Sequence, residues 1–314
     1  MTVSILAMAG LATPMAIRVA ATLGLAEHEG TAEELAAVTG TSAPALECLL
    51  DHLVAVGVFE VDSGRYRPTA LGAELREEGP KLLLDINCAG GRAELAFADL
   101  LGTITTGEPA YPRRYGRDFW ADLDTHPALR RSFDAQMNWR FRTQAGQIAE
   151  RFDWGRFSSI VDVGGGDGTV LTAILRAHPE VRGVVLDISP SFSTAGFGDR
   201  ASAVTGSFFD PLPTGADAYL LSDILHDWDD DHAREILSRC REAGGVVVVI
   251  EPVRGEGADT GIDLFMLMCF AGRERTVAEL SALAADRGLT LRHSGPIADG
   301  RTVLEFHAAA GRPF

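Results

Sequence analysis

The run Ser159-Ile-Val-Asp-Val-Gly-Gly-Gly-Asp-Gly168 decides how the chain is read, because a short apolar strand breaks there into a glycine-rich corner. Behind it, Thr169 to Ala177 has helical spacing. Glycines at such a corner let the main chain come within contact distance of a ligand, and the helix start presents free N–H groups. Three more apolar runs follow at Gly183-Val-Val-Leu186, Ala218-Tyr-Leu-Leu221 and Gly245-Val-Val-Val-Val-Ile250. Unbroken apolar runs suit parallel strands covered by helices on both faces, so residues 151–314 are expected to form an α/β, doubly wound, Rossmann-like sheet.

Upstream the pattern is different. Thr31-Ala-Glu-Glu34 has capping-box spacing, so a helix should start there and run to about Val38, with Gly40 ending it. A second helix follows Ser42, with Leu46, Leu49, Leu50, Leu53 and Val54 at helical spacing. Val58 to Val61, Asp62-Ser-Gly64 and Arg65 to Arg67 then read as strand, turn and strand. Helix, helix, hairpin is a winged-helix pattern, assigned to residues 1–80. Residues 81–150 read as a helical connector broken by a loop at Gly107 to Gly116, which holds Pro109 and Pro112.

Composition narrows the function. With 28 Lys+Arg against 44 Asp+Glu, the net charge of −16 repels phosphate backbones and anionic headgroups, so nucleic acid and membrane partners are not expected. The second helix also offers Leu46, Cys48, Leu49, Leu50 and Asp51 where a groove reader needs Arg, Lys, Asn or Gln. Apolar Leu6, Met8, Leu11, Met15 and Ile17 instead suggest a two-fold partner. The first twenty residues lack a basic leader, and Pro14 and Arg18 interrupt them, so they read as a packing helix rather than a signal peptide or span. Cys48, Cys88, Cys240 and Cys269 are too scattered for a disulfide framework or a metal site, and a cytoplasmic location with free thiols is expected.

The corner gains a partner in Asp187, at the end of the next strand, where a carboxylate can accept both hydroxyls of a ribose. That pattern admits NAD, S-adenosylmethionine or a purely structural turn. The dinucleotide fingerprint wants Gly or Ala at its third position, and here that position is Thr169. Asp162, just before the glycines, suits a cationic aminoacyl end better than pyrophosphate. S-adenosylmethionine is the favoured reading.

Leu221-Ser-Asp-Ile-Leu-His226-Asp-Trp-Asp-Asp-Asp231 follows the fourth strand of the sheet, whose carboxyl edge is where ligands sit. His226 is the side chain there able to accept a proton near neutral pH, and a phenol, of pKa about 10, needs such a base as a methyl group arrives. Its apparent pKa is expected near the ordinary histidine value. A lone histidine on a polar loop is also commonly a surface residue. Two carboxylates weigh against that reading: Glu251, closing its strand, and Glu274 in Gly272-Arg-Glu-Arg-Thr276, either of which could orient the imidazole.

Taken together, Leu225-His-Asp-Trp-Asp-Asp230, the glycine corner, Ile250-Glu-Pro-Val253 and Gly272-Arg-Glu-Arg-Thr276 resemble the winged-helix-containing small-molecule O-methyltransferases. That family includes plant caffeic acid and flavonoid enzymes and bacterial polyketide-tailoring enzymes. Thr106-Gly-Glu-Pro109, Asp118-Phe-Trp120, the Phe133 and Met137 pair and Phe152-Asp-Trp154 extend the resemblance over almost the whole chain. It implies a class I methyltransferase sheet, S-adenosylmethionine as cofactor, no metal, an intertwined homodimer, and transfer to an aromatic hydroxyl. It also implies His226 as base flanked by Glu251 and Glu274. Gly164, Gly165 and Gly166 would lie under the methionine portion, Asp187 on the ribose and Trp228 near the adenine, with Ser207, Phe208 and Ser222 as further cofactor-binding candidates. Phe133 and Met137 would line the acceptor pocket, with Asp223, Phe265 and Met268 as further candidates; ordinary helix packing is the competing role for the first two.

Two departures stand out. The family's Asp after the third strand is Ser207 here, and its Lys or Arg four residues before the histidine is Ser222. Ser207 can still accept a hydrogen bond. Relatives of this family have been repurposed for hydroxylation, decarboxylation or pericyclic steps, and a regulator with a dead cofactor site is a third reading. An intact His226, Glu251 and Glu274 set favours methyl transfer. The acceptor is expected to be a bicyclic or polycyclic aromatic, and Arg113, Arg114 and Arg140 could meet a carboxylate on it.

Overall fold

A computed structural model describes residues 4–309. The chain divides into two compact units, one formed by residues up to 95 together with 120–139, the other by 96–119 together with the residues from 140 onward.

In the first unit the helix Ala32–Thr39 starts at a complete capping box: the Thr31 hydroxyl accepts from the Glu34 N–H, and the Glu34 carboxylate accepts from the Thr31 N–H. Gly40, at φ +70°, ends it in the left-handed region that favours glycine. Ala43–Ala55 buries Leu46, Leu50 and Leu53. The hairpin pairs β1 (Phe59–Asp62) with β2 (Arg65–Pro68) in antiparallel register. Arg65 and Arg67, the basic pair of this hairpin, are ion-paired to Glu34 and Glu60. The solvent face of Ala43–Ala55 shows Glu47, Cys48 and Asp51.

Residues 5–22 are long and apolar enough, by length and composition alone, to cross a membrane. They form two helices, Ile5–Ala9 and Ala12–Thr22. Ala16 and Ala20 pack in the core of the unit, and Arg18 donates to the Leu83 carbonyl and pairs with Glu94. Ile5, Leu6, Met8 and Leu11 are 72–81% exposed. Ile17 departs from the expectation that grouped it with them: it packs on the core beside Ala16.

The second unit is built on a seven-stranded sheet of β3 (Ser159–Val163), β4 (Arg182–Asp187), β5 (Ala201–Thr205), β6 (Ala218–Ser222), β7 (Val246–Glu251), β8 (Leu289–Ala298) and β9 (Arg301–Ala308), in the order β5-β4-β3-β6-β7-β9-β8. The first five are parallel; β9 runs antiparallel to both β7 and β8. One face packs on Ile148, Trp154, Leu171 and Ile174, the other on Ile236, Leu237 and Cys240, which is why the central strands read as unbroken apolar runs. Strand order reverses between β3 and β6, the crevice where doubly wound sheets bind ligands.

The expected loop at Gly107 to Gly116 contains a helix, Ala110–Tyr115. Pro112 lies in its first turn, where a missing N–H costs nothing, and Gly116 closes it at φ +78°. Prolines that looked like breakers therefore mark a helix start.

Candidate active site

The glycine corner joins β3 to the helix Thr169–Ala177. Gly164 and Gly166 sit at φ +76° and +56°, conformations that side chains resist. The Gly164 N–H donates to the Leu186 carbonyl at 2.7 Å, and the Gly166 N–H donates to the Asp187 carboxylate at 3.0 Å, so the corner is fastened to the end of β4. Asp162 is buried beneath the corner. Burial, reinforced by Asp187 and Asp167, pushes its carboxyl up to about 7. A cation arriving there would restore the charge on Asp162.

Beside this corner lies a cleft lined by Asp162, Gly164, Gly165, Asp167, Thr169 and Ser222, among others. The Ser222 hydroxyl oxygen is buried without a hydrogen-bond partner. Buried polar atoms are normally paired, so this oxygen is suited to a polar ligand group. Asp187 is half-buried; its second oxygen accepts from the Ser189 N–H. Ser207 follows β5 and caps its own turn, accepting from the Phe209 N–H at 3.1 Å. Phe208 meets Trp228 edge-on at 5.8 Å between centroids, giving an aromatic wall at the same sheet edge. A carboxylate at the end of β4, an aromatic wall, a glycine cradle and an orphaned hydroxyl fit S-adenosylmethionine.

His226 is not on the surface. It is 4% exposed, in a single 3₁₀ turn, Leu225–Asp227, after β6. Its Nδ1 lies 3.1 Å from Glu274 Oε1. Glu251 takes a different part: its Oε1 accepts the Leu225 N–H at 2.5 Å and the His226 N–H at 3.2 Å, holding the turn's main chain. Of the two carboxylates, then, Glu274 orients the imidazole and Glu251 seats its backbone. His226 Nε2 stands 3.6 Å from Asp227 Oδ1.

Electrostatics revise the expected titration. Burial opposes the imidazolium, but Asp227, Glu274 and Asp223 outweigh it and raise His226 to about 10, well above the ordinary histidine value. Burial pushes Asp227 and Glu251 up to about 7 despite the attraction of His226. Asp223, at φ +51°, is engaged by Arg301 through two hydrogen bonds of 3.0 and 2.5 Å. Burial would raise Asp223, yet Arg301 and Arg140 hold it at about 2.

The remaining acceptor candidates are placed less tightly. Phe265 is half-buried and Met268 fully buried on the helix Thr260–Cys269, with Phe265 6.3 Å from Phe270. Phe133 and Met137 are half-buried on Pro127–Arg142, and Phe133 packs edge-on against Trp120 in the first unit.

Residues 97–290 match the model of an O-methyltransferase domain, and residues 6–77 that of an O-methyltransferase dimerisation domain. The chain belongs to this O-methyltransferase family. It is 49% identical to the 2,7-dihydroxy-5-methyl-1-naphthoate 7-O-methyltransferase of Streptomyces carzinostaticus, over 93% of each chain. Aclacinomycin 10-hydroxylase RdmB of Streptomyces purpurascens is 41% identical, over 94% of this chain and 86% of its own. Among solved structures, the neocarzinostatin-biosynthesis O-methyltransferase NcsB1 in complex with S-adenosylmethionine and 2-hydroxy-5-methyl naphthoic acid superposes with a TM-score of 0.91. It is 47% identical, covering 98% of this chain and 99% of that one. This methyltransferase is accordingly an S-adenosylmethionine-dependent enzyme with the family's sheet and dimerisation domain.

Sequence reasoning missed three residues of the methyltransferase's site. Arg275, 1% exposed, donates to the Leu225 and Trp228 carbonyls and to Asp230, clamping the His226 turn from outside. Gly272 passes so close that a β-carbon there would stand 2.0 Å from the His226 carbonyl oxygen. Both lie in the Gly272 to Thr276 run that the family resemblance singled out, which was the available signal. Arg301 opens β9, remote in sequence from Asp223, and nothing local marked it.

Proposed function

We propose that this methyltransferase transfers a methyl group to a phenolic hydroxyl of a bicyclic aromatic carboxylic acid of the naphthoate type, in bacterial polyketide-derived secondary metabolism, with His226 as general base. The observation that carries this reading is the buried His226–Glu274 pair, 3.1 Å apart, following the strand next to the glycine corner. The named acceptor of the 49% identical relative supplies the naphthoate class.

Bound S-adenosylmethionine supplies an electrophilic methyl group on a sulfonium. Gly164, Gly165 and Gly166 would support its methionine portion, Ser222 would meet a polar group of it, Asp187 would accept the ribose hydroxyls, and Ser207, Phe208 and Trp228 would lie by the adenine. His226 Nε2 faces the acceptor hydroxyl while Glu274 fixes the other ring nitrogen as a donor. An imidazole raised to about 10 matches a phenol of pKa about 10, so one proton is shared between them at little cost. After transfer the proton rests on His226, balanced by Glu274 and Asp227. Glu251 and Arg275 keep the turn from moving as the charge develops. Within the second unit, Phe265 and Met268 bound the acceptor site together with Asp223, which acts through its hold on Arg301.

The exposed apolar face of Ile5, Leu6, Met8 and Leu11, inside or beside the matched dimerisation segment, is read as a homodimer interface. Residues 1–80 then act in dimerisation, 81–150 as a helical connector, and 151–314 as the cofactor domain. Nucleic acid and membrane partners have no place in this reading, and the enzyme works in the cytoplasm. Light scattering at micromolar concentration should return twice the chain mass; a monomer would refute the interface.

A second reading has one observation behind it: the 41% identical relative is named as a hydroxylase. Incubation with methyl-labelled S-adenosylmethionine and hydroxynaphthoic acids separates the two. Label in an ether product supports methyl transfer; oxygen gain without label supports hydroxylation.

A further inference from the structure

Three arginines could meet an anionic acceptor, and the structure separates them. Arg113 donates to the Glu108 carbonyl at 3.0 Å and to the Thr103 hydroxyl at 2.9 Å. Arg114 lies 3.7 Å from Asp99 and 3.3 Å from the Tyr115 hydroxyl. Both are exposed and already engaged. Arg140 is half-buried, and among the described residues no hydrogen bond or ion pair reaches its guanidinium.

The surroundings of Arg140 are those of the reacting centre. It lies within electrostatic range of Asp223, Glu274 and Asp227, the carboxylates around His226, and of Arg301. Burial lowers its pKa, as it does for a guanidinium partly shielded from water. Asp223 is the strongest anion nearby, and Arg301 has taken it with two hydrogen bonds. Glu274 is turned to the imidazole. A desolvated cation without a fixed counterion is costly, and the cost is recovered when an anion arrives with a ligand. A guanidinium fork matches a carboxylate in two parallel hydrogen bonds.

We propose that Arg140 is a specificity-determining residue that binds the carboxylate of an aromatic acid acceptor, steering its hydroxyl to His226. The proposal rests on the naphthoate reading above and deepens it: the acid group, not the ring alone, selects the substrate. Arg301 keeps Asp223 from competing for Arg140.

The test measures binding rather than turnover. With S-adenosylhomocysteine present, 2-hydroxy-5-methyl naphthoic acid and its primary carboxamide are titrated into wild type, Arg140→Met and Arg140→Lys. Wild type should prefer the acid by about 10-fold or more, and Arg140→Met should weaken the acid by about 10- to 100-fold while changing the carboxamide less than about 3-fold. Arg140→Lys should keep part of the preference, because it keeps the charge and loses the fork. S-adenosylhomocysteine affinity should be unchanged in both variants, which reports an intact cofactor domain. Equal weakening of acid and carboxamide, or no weakening of the acid, overturns the assignment. Should Arg140→Met fail to fold, a wild type without acid preference overturns it equally. A wild type that binds the acid in this way yet transfers no methyl to it refutes the proposed function and leaves Arg140 standing.

Discussion

The glycine corner after β3 and the histidine turn after β6 lie on neighbouring strands, yet they are built by opposite means. The corner is main chain: positive φ at Gly164 and Gly166, N–H groups fastened to β4, and one buried carboxyl below. The turn is side chain. His226 is held by Glu274, its backbone by Glu251 and Arg275, and its charge by Asp227 and Asp223. A site of backbone donors holds its ligand with few titrating groups, Asp162 below the corner being the exception. A site of interlocked charges tunes a proton, and each of its members alters the titration of the others. Binding and proton handling should therefore separate under mutation.

The largest expected effect tests that separation directly. His226→Ala should lower kcat by about 10²- to 10⁴-fold, the usual worth of a positioned base, with S-adenosylmethionine affinity nearly unchanged. Single-turnover rates beside calorimetry read both quantities. If the variant transfers methyl at the wild-type rate at neutral pH, proximity alone suffices and the histidine is a bystander. Next comes Gly272→Ala, whose β-carbon would meet the His226 carbonyl oxygen. Turnover should fall by about 10²-fold as the turn is pushed from Glu274, again with cofactor binding retained. Loss of cofactor binding in this variant would mean that the two sites are mechanically one.

On the binding side, Asp187→Ala should weaken S-adenosylmethionine by about 1.5–3 kcal/mol, the worth of hydrogen bonds to a charged acceptor. At saturating cofactor its kcat should stay within about threefold of wild type. A kcat loss matching that of His226→Ala would break the contrast.

The smallest effect is in pH. Because His226 is raised to about 10, the free enzyme holds an imidazolium below that value, and the base is competent only after deprotonation. kcat/KM should therefore rise with pH above neutrality rather than level off near 7. In Glu274→Gln the imidazolium loses a bonded carboxylate, so the rising limb should move down toward the ordinary histidine range, with a severalfold loss of kcat from poorer orientation. An unmoved limb would show that Glu274 does not set the proton's affinity. The same raised pKa stabilises the fold below about 6.5, and that contribution is lost as pH rises through about 10.

Much of this molecule was legible without coordinates, because the features that announced it are local. The apolar runs of β3, β4, β6 and β7 report burial on both faces, and the Thr31–Glu34 capping box reports its own helix start. The glycines of the corner report φ angles that few other residues adopt. What stayed hidden lacks such a signature. β5 buries only its first residue, and β8 is polar in the middle, so neither shows an apolar run. Helix Ala110–Tyr115 was masked by prolines that read as breakers. At the site, sequence named His226 and both glutamates but could not divide their labour. The division depends on which carboxylate reaches Nδ1 and which reaches the backbone, and Glu251 and Glu274 are brought to the turn by separate elements. It could not see that Arg301 reaches Asp223 from 78 residues away, leaving Arg140 without a hydrogen-bond partner among the described residues, nor that three carboxylates around one imidazole would lift its pKa. Composition and periodicity record what a residue does along its own strand or helix. Charge coupling depends on distances between segments remote in sequence, and only the folded chain fixes those distances.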